Sequence, residues 1–200
     1  MIYLSGAIRS DLPAMVTPRM RQLPEPGQLW AADNGRYSAP ANYSDAGYLA
    51  WLERLEPYRD RCLFATAPDV WSDWPATLEL SRPMLRPIRE LGYRVAIVAQ
   101  DGATVDTVPW PEVDALFVGG TDPWRHSDAL RELVAEARRR ELWVHLGRVN
   151  SLRRLRFAEA LGCDSADGTV LKHDPSRPVA DWGPTVRREP SLWSPGRVPA

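Results

Sequence analysis

Short apolar segments alternate with amphipathic helical segments along most of this 200-residue chain, and that alternation limits the folds open to it. Two of the apolar segments, Arg94 to Ala99 and Val113 to Val118, are apolar almost throughout, which is typical of parallel strands buried on both faces. Strands are also predicted over residues 1–8, 28–32, 62–67 and 142–146, and helical spacing is found over residues 48–58, 77–91 and 127–140. The pattern predicts an α/β protein with a parallel sheet.

The stretch from Leu146 to Thr169 is the most informative part of the chain. It leaves a strand, crosses a basic segment whose apolar residues have helical spacing, and reaches Gly162, a glycine of the kind that ends helices. It then delivers two carboxylates, Asp164 and Asp167, to the end of a further strand. Strand–helix–strand units of this kind carry the chemistry of α/β enzymes at the carboxyl ends of their strands.

Seven or eight strand candidates in 200 residues predict a compact, trimmed (β/α)8 TIM-like barrel, formed by a single domain over residues 1–173. An open doubly wound sheet is the alternative, although the chain has no GxGxxG dinucleotide motif. Residues 9–28 hold four prolines and are predicted to form a long loop. Residues 174–200 hold six prolines and little periodicity, which predicts an extended or partly disordered tail.

Composition argues against several classes of function. The formal net charge of −1 gives no reason to expect nonspecific attraction to nucleic acids. Every basic residue except Lys172 is an arginine, which suits bidentate contacts with phosphate or carboxylate, although genomic base composition would have the same effect. With one lysine and no GxxxxGK[ST] loop, neither Schiff-base chemistry nor P-loop nucleotide binding is a useful hypothesis.

The two cysteines, Cys62 and Cys163, have no partners at metal-ligand spacing. We therefore expect reduced thiols, no metal site and no cofactor. No apolar run approaches the ~18 residues of a membrane span, and the N-terminus lacks a basic-then-apolar signal pattern. These observations predict a soluble cytoplasmic protein without a membrane partner.

Polar residues recur just beyond successive predicted strands, and in chain order they are Asp33, Asp69, Gln100, the pair Gly119 and Gly120, and then Asp164 and Asp167. The carboxyl ends of all strands of a barrel meet at one mouth, so these positions predict a carboxylate-based active site. Each residue alone is more typical of a turn or cap than of a catalyst, and a binding barrel with capped loops is the alternative. His145 ends a predicted strand and either lines this pocket or is a satisfied core histidine.

These residues also resemble, in order and spacing, the motifs of the tRNA-guanine transglycosylase superfamily, the queuine and archaeosine tRNA-ribosyltransferases. The family's Asp-Ser-Gly-Gly-aromatic motif is similar to Asp33-Asn34-Gly35-Arg36-Tyr37, and its Gly-x-Asp-x-x-Asp motif is similar to Gly162-Cys163-Asp164-Ser165-Ala166-Asp167. Three shorter matches lie between them, at Asp69, at Ala99-Gln100-Asp101-Gly102 and at Val118-Gly119-Gly120. The chain most resembles the short phage-type members that insert 7-deazaguanines into DNA.

The resemblance implies that guanine is exchanged for a 7-deazaguanine of the preQ0 (7-cyano) type through a covalent aspartyl-glycosyl intermediate. Asp167 would be the nucleophile and Asp33 the general acid/base. Asp69 would accept from the purine N1–H and 2-amino group, while Gln100 and the amides of Gly119 and Gly120 would bind its O6 edge. Tyr37 would stack on the ring, and Asp164 would be a further substrate-binding residue. The nucleotide must leave its duplex or loop, and the candidates for its phosphates are Arg148, Arg153, Arg154 and Arg156; a solvated helix face is the other interpretation of these arginines.

The chain departs from the family in four respects. No Cys-rich zinc site follows the nucleophile, Leu171-Lys172-His173 replaces the usual Pro-Thr-Arg, Arg36 replaces a motif glycine, and there is no room for an added RNA-binding domain. These departures favour DNA over tRNA as the polymer and, for a phage-encoded enzyme, the host cytoplasm as its location. Base exchange on tRNA, chemistry on free nucleosides or bases, and a non-catalytic nucleic-acid-binding partner subunit are the alternatives. A homodimer or a helper subunit is the protein partner that the resemblance suggests.

Overall fold

Eight parallel strands close into a barrel in the computed structural model, which describes residues 1–6 and 11–170. The strands follow one another around the barrel in chain order, as β1 (Ile2–Ser5), β2 (Ala14–Val16), β3 (Trp30–Ala32), β4 (Cys62–Thr66), β5 (Val95–Ala99), β6 (Ala115–Val118), β7 (Trp143–Leu146) and β8 (Ser165–Gly168). Closure is made by β1 and β8, which pair from Ile2 opposite Ser165 to Ser5 opposite Gly168. The predicted (β/α)8 TIM-like barrel is confirmed, and the open-sheet alternative is wrong.

The barrel is trimmed where its connections are shortest. Its helices are α1 (Asp45–Arg54), α2 (Trp74–Glu90), α3 (Asp122–Arg125), α4 (Asp128–Arg139) and α5 (Leu152–Leu161), with 3-10 helices at Pro40–Asn42, Glu56–Arg61 and Trp110–Glu112. Between β5 and β6 the described chain has only a 3-10 helix, and between β1 and β3 the described residues include no helix. The predicted tail, residues 174–200, lies outside the described residues.

The long loop predicted over residues 9–28 needs correction, because it contains β2. This strand has only three residues, Ala14 to Val16, and Pro13 and Pro18 lie close on either side. A segment of that length is too short to show an alternating pattern, so its strand conformation follows from pairing with β1 and β3 on both sides.

Local sequence explains where the helices begin and end. Ser44 caps α1 by accepting from the Gly47 N–H at 3.2 Å, so this helix begins before the predicted residue 48. Gly162 ends α5 in the left-handed conformation with φ 83°, as predicted. Pro83 and Pro87 interrupt α2 less than expected, since Pro83 is exposed and Pro87 half-buried, and carbonyls that lose an N–H partner there can meet water.

Two apolar layers hold the barrel and position its mouth. A larger layer lies between strands and helices, and a smaller cluster inside the barrel includes Ile2, Leu4, Phe64 and Phe117. These packed side chains fill the barrel interior, which leaves the carboxyl ends of the strands as its open end.

Both cysteines are buried free thiols. Among the described helices, none is long and apolar enough to cross a membrane.

Candidate active site

The carboxyl ends of the strands surround an open cavity of about 510 Å³, counted up to bulk solvent, which we call the mouth cavity. The mouth cavity is lined by residues from six different strand ends, and those expected from the sequence are Asp33, Tyr37, Asp69, Gln100, Gly119, Arg148 and Asp167. In the described part of the chain, no group of three His, Cys, Asp or Glu residues is arranged to hold a metal ion.

Asp33 follows β3 and lies half-buried in the wall of the mouth cavity. Its Oδ1 accepts from the Gly35 N–H at 2.8 Å, in a tight turn that Gly35 permits with φ 73°. Burial raises the pKa of Asp33 from 3.8 to about 7; the Gly35 hydrogen bond opposes this rise, and the charges of Asp69 and Asp167 add to it. A carboxyl group with this pKa can give and take a proton near neutral pH.

Asp69 follows β4, is buried and lines the mouth cavity. Its Oδ2 accepts from Gln100 Nε2 at 2.7 Å, and its Oδ1 accepts from Asn34 Nδ2 at 3.3 Å. Burial raises the pKa of Asp69, while these two hydrogen bonds and the charges of Arg36 and Arg148 lower it. The carboxylate is thereby held in a fixed orientation and presents an acceptor to the cavity.

Gln100 is held from several sides, and this corrects one expectation. Its Oε1 accepts from the Ser72 N–H at 3.0 Å and from the Gly120 N–H at 2.8 Å, while the Gly119 N–H donates to Ala99 O at 2.9 Å. The amides of Gly119 and Gly120 are therefore engaged within the protein and do not point to a purine O6 edge. Gly119 is required for a different reason, because a Cβ there would lie 2.7 Å from Gln100 Nε2.

Asp167 lies in β8, and its Oδ1 accepts from the Arg148 N–H at 3.3 Å and lies 3.0 Å from His145 Nε2. To donate to an ionised carboxylate, His145 must carry its ring proton on Nε2, which makes Nδ1 an acceptor. Ser165 Oγ lies 2.8 Å from Nδ1 and accepts from Trp143 Nε1 at 2.7 Å. A chain of hydrogen bonds thus runs from Trp143 through Ser165 and His145 to Asp167.

His145 is fully buried inside the barrel, below the mouth cavity rather than in its wall. Its ring packs against Phe64 and Phe117, with centroid distances of 5.2 Å and 4.5 Å. Of the two expectations for this residue, the satisfied core histidine is closer to the structure. One of its two partners is nevertheless the predicted nucleophile, so its position sets the orientation of Asp167.

Two exposed aromatic rings and one arginine form the rim of the mouth cavity. Tyr37 is 58% exposed and Trp71 is 46% exposed, and their ring centroids are 6.3 Å apart. The Arg148 guanidinium lies over both rings, at 4.9 Å from the Tyr37 centroid and 5.8 Å from that of Trp71. Arg148 has φ 58°, which is rare for a residue with a side chain. Exposed rings of this kind can stack on a planar ligand.

Asp164 does not belong to this site, which corrects its assignment as a substrate-binding residue. It precedes β8 and therefore lies at the opposite end of the barrel from the mouth. Its Oδ1 accepts from Arg138 NH1 at 3.0 Å and its Oδ2 accepts from the Val144 N–H at 2.8 Å. Asp164 joins α4 to β7 and has a structural role.

The four arginines proposed as phosphate contacts occupy different places. Arg148 is at the rim of the mouth cavity. Arg154 donates to Asp122 Oδ2 at 2.5 Å and to Arg148 O at 3.1 Å. Arg153 is exposed and lines a second cavity with Arg154, whereas Arg156 is exposed and lines neither cavity. The structure therefore brings three of the four near the barrel mouth and sets Arg156 apart from them.

The mouth cavity is also lined by residues that were not predicted individually, among them Asn34, Trp71 and Arg125. Asn34 and Trp71 lie in segments that follow strands, where polar and aromatic residues are common in any loop. Arg125 lies in a helix of four residues and carried no signal at all, although its side chain is buried. Its Nε donates to Gly119 O at 2.7 Å, which places it behind the glycine pair.

Comparison with known proteins gives no match to a protein-family model and no match to a curated protein. Among solved structures, tryptophan synthase from M. tuberculosis is similar with 13% identity and a TM-score of 0.49 over 78% of this chain and 58% of that chain. The Bacillus subtilis YkuI protein, with an EAL domain, is similar with 17% identity and a TM-score of 0.46 over 70% of this chain and 36% of that one. For 3-hexulose-6-phosphate synthase from Salmonella typhimurium the identity is 14%, the TM-score is 0.42, and the shares are 73% and 66%. The chain thus spans only about a third to two thirds of these proteins.

Proposed function

We propose that this protein is a base-exchanging glycosyltransferase that replaces guanine in DNA by a 7-deazaguanine. The observation that carries the proposal is the convergence of Asp33, Asp69, Gln100, Gly119 and Asp167 on one cavity. These residues follow or end five different strands and are spread over most of the chain. They are also among the positions at which the sequence resembles the guanine transglycosylases, so spatial clustering and motif order agree on these five residues.

In the first step, an oxygen of the Asp167 carboxylate attacks C1′ of the nucleotide and forms a glycosyl ester. The bond from C1′ to the guanine breaks with its electron pair going to the base, and Asp33 transfers its proton to the departing purine. In the second step, Asp33 takes a proton from the incoming base, whose nitrogen attacks C1′ and releases Asp167. Double displacement of this kind retains configuration and splits one difficult substitution into two easier ones.

Asp69 and Gln100 are suited to recognise the base. The buried carboxylate of Asp69 can accept from the N1–H and 2-amino group of a guanine-like ring. Gln100 uses its Oε1 within the protein and gives one Nε2 hydrogen to Asp69, so its second Nε2 hydrogen is the group that can bind a purine O6. Tyr37 and Trp71 supply exposed ring faces at the entrance. A donor, an acceptor and aromatic surface are together what a flipped base requires.

Incorporation of labelled 7-cyano-7-deazaguanine into DNA and, in parallel, into bulk tRNA tests the proposal. We expect label in DNA, with release of an equal amount of guanine. Label in tRNA alone would keep the chemistry and replace the polymer. Exchange on deoxyguanosine without any polymer would favour an enzyme of free nucleosides. Absence of exchange with DNA, tRNA and deoxyguanosine would overturn the proposal and favour a non-catalytic partner subunit. Its catalytic partner can then be sought as a lysate fraction that restores exchange.

His145 is expected to act as a positioning residue for Asp167. His145→Gln keeps an N–H donor for Asp167, whereas His145→Leu keeps apolar packing against Phe64 and Phe117 but removes the donor. We expect His145→Leu to lower kcat by about 10²-fold with little change in KM, because misorientation of a nucleophile affects the transition state more than binding. His145→Gln should recover most of the rate.

Steady-state kinetics and trapping of the covalent protein–DNA species measure this effect. Slower formation of the trapped species in His145→Leu, at unchanged affinity for DNA, is the expected signature. Equal losses in the Leu and Gln variants, accompanied by lower thermal stability in both, would show that His145 is needed only for the core.

A further inference from the structure

A second cavity adjoins the mouth cavity on the outer side of the barrel, between α3 and α5. It has a volume of about 600 Å³, counted up to bulk solvent. Its floor is apolar, formed by Leu146, Val149 and Phe157, and its rim carries Arg153 and Arg154. Arg125 lines both cavities and forms the wall between them. The two spaces are therefore neighbours that share one buried cation.

Arg125 is the unusual feature of this region. Its side chain is only 6% exposed, its NH1 lies 4.0 Å from Asp122 Oδ1, and among the described residues its NH2 has no hydrogen-bond partner. Asp122 is itself held by Arg154 at 2.5 Å. Burial, together with the positive charges of Arg148 and Arg154, lowers the pKa of Arg125 to about 10, yet Arg125 stays charged at neutral pH. A buried cation without a full counter-charge is costly unless an anion completes it.

The charges around the second cavity define the anion that fits. Three arginines line it against the single aspartate Asp122, which leaves a formal excess of two positive charges. Arginine suits phosphate, whose oxygens match the guanidinium fork. The floor of the second cavity suits an apolar or aromatic group instead. Phe157 and its neighbour His126, with ring centroids 4.5 Å apart, offer an aromatic and apolar surface there. A ligand that satisfies both parts has a phosphate joined to a planar, weakly polar ring.

We propose that the second cavity binds the nucleotide next to the one being exchanged, with its phosphodiester on Arg125, Arg153 and Arg154 and its base on the apolar floor. This inference rests on the proposed function, since it places the target nucleotide in the mouth cavity. Aromatic surface combined with arginine is the usual way to hold single-stranded nucleic acid without reading its sequence. The shared wall then explains the position of Arg125, because the phosphate that links the two nucleotides passes beside it.

Two variants on one helix provide a matched test. Arg153→Ala and Arg156→Ala remove the same charge from exposed positions of α5, but only Arg153 lines the second cavity. Affinity is measured by fluorescence anisotropy with a short single-stranded DNA oligonucleotide that contains one guanine, in an Asp167→Asn background so that no covalent species forms. We expect Arg153→Ala to weaken binding about tenfold, as for the loss of one charge-assisted contact, and to reduce the salt slope by about 0.7. Arg156→Ala should change the affinity and the salt slope only by a small fraction of the effects of Arg153→Ala.

Phe157→Leu tests the floor separately. We expect it to weaken binding of the oligonucleotide by several-fold, on the order of the loss for one stacked base, while binding of the nucleoside deoxyguanosine is unchanged. Equal effects of Arg153→Ala and Arg156→Ala, or an equal loss of oligonucleotide and nucleoside binding in Phe157→Leu, would overturn the second cavity as a nucleotide site.

The failure of this inference is distinguishable from failure of the proposed function. Exchange by the wild type together with indistinguishable Arg153 and Arg156 variants would overturn only the second-cavity site. Oligonucleotide binding that depends on Arg153 in a protein that performs no exchange would support the second-cavity site and overturn the exchange reaction.

Discussion

We expect Asp167→Asn to abolish base exchange while the barrel stays folded, and this is the largest effect expected from a single substitution. Asparagine has the shape of aspartate and keeps an oxygen that can accept from His145 and from the Arg148 N–H. It lacks the charged oxygen needed to attack C1′, so the covalent intermediate cannot form. The rate should fall on the order of 10⁴-fold or more, as when a covalent nucleophile is removed from an enzyme.

Asp164→Asn is the matched control, since the same change is made three positions earlier in the same motif. Asp164 lies at the closed end of the barrel, where it pairs with Arg138. Its loss should leave exchange intact and cost about 0.5 kcal/mol of stability or less, because that ion pair is partly exposed. Peptide mapping of the protein–DNA adduct completes the measurement. An adduct on Asp33 or Asp69, or normal exchange by Asp167→Asn, would remove the nucleophile assignment.

The contrast between Asp164 and Asp167 shows where sequence reasoning succeeds and where it fails. The motif contains two acids three residues apart, and the prediction placed both at the carboxyl end of the same strand. In the structure β8 begins between them, so that the first acid precedes the strand and the second lies within it. Three residues of extended chain cover about 10 Å, enough to separate the closed end of a short barrel strand from its mouth. A boundary error of a few residues therefore changed the assigned role.

The other positions in the mouth cavity were predictable because barrel geometry does not depend on exact strand boundaries. Asp33, Asp69 and Gln100 each come directly after an apolar run, and parallel strands in a closed barrel bring such positions together. The roles of Arg125 and His145 were not predictable in the same way. Arg125 is significant because its guanidinium is buried without full compensation, and His145 because Ser165 and Asp167, about twenty residues later, meet its two nitrogens. Both facts are properties of packing and carry no local sequence signal.

The second large effect is expected at Asp33, in both activity and stability. Asp33→Asn removes the group that gives a proton to guanine and takes one from the incoming base, and we expect exchange to fall by about 10²- to 10⁴-fold. In the wild type, a pKa of about 7 means that guanine release should slow as the pH rises above 7, because Asp33 loses its proton. Attack by the incoming base should slow as the pH falls below 7, because Asp33 is then protonated. Rapid-quench measurement from about pH 5.5 to about pH 8.5 gives the rate of guanine release and the rate of base incorporation separately. In Asp33→Asn neither rate should depend on pH over this range.

The stability of the same variant gives an independent check. The pKa of Asp33 is about 7 in the folded protein against an ordinary value of 3.8, so the folded state holds this proton more tightly than the unfolded state between those two pH values. Stability of the wild type is therefore lost as the pH rises from about 4 to about 7 and stays low above that range, with an upper limit of about 4 kcal/mol. The asparagine side chain of the variant would keep the acceptor for the Gly35 N–H without the buried charge. We expect Asp33→Asn to raise Tm at about pH 8, and the difference from the wild type to vanish near pH 4. A Tm difference that does not depend on pH would mean that Asp33 is charged throughout, and a permanently charged Asp33 could not protonate the departing guanine.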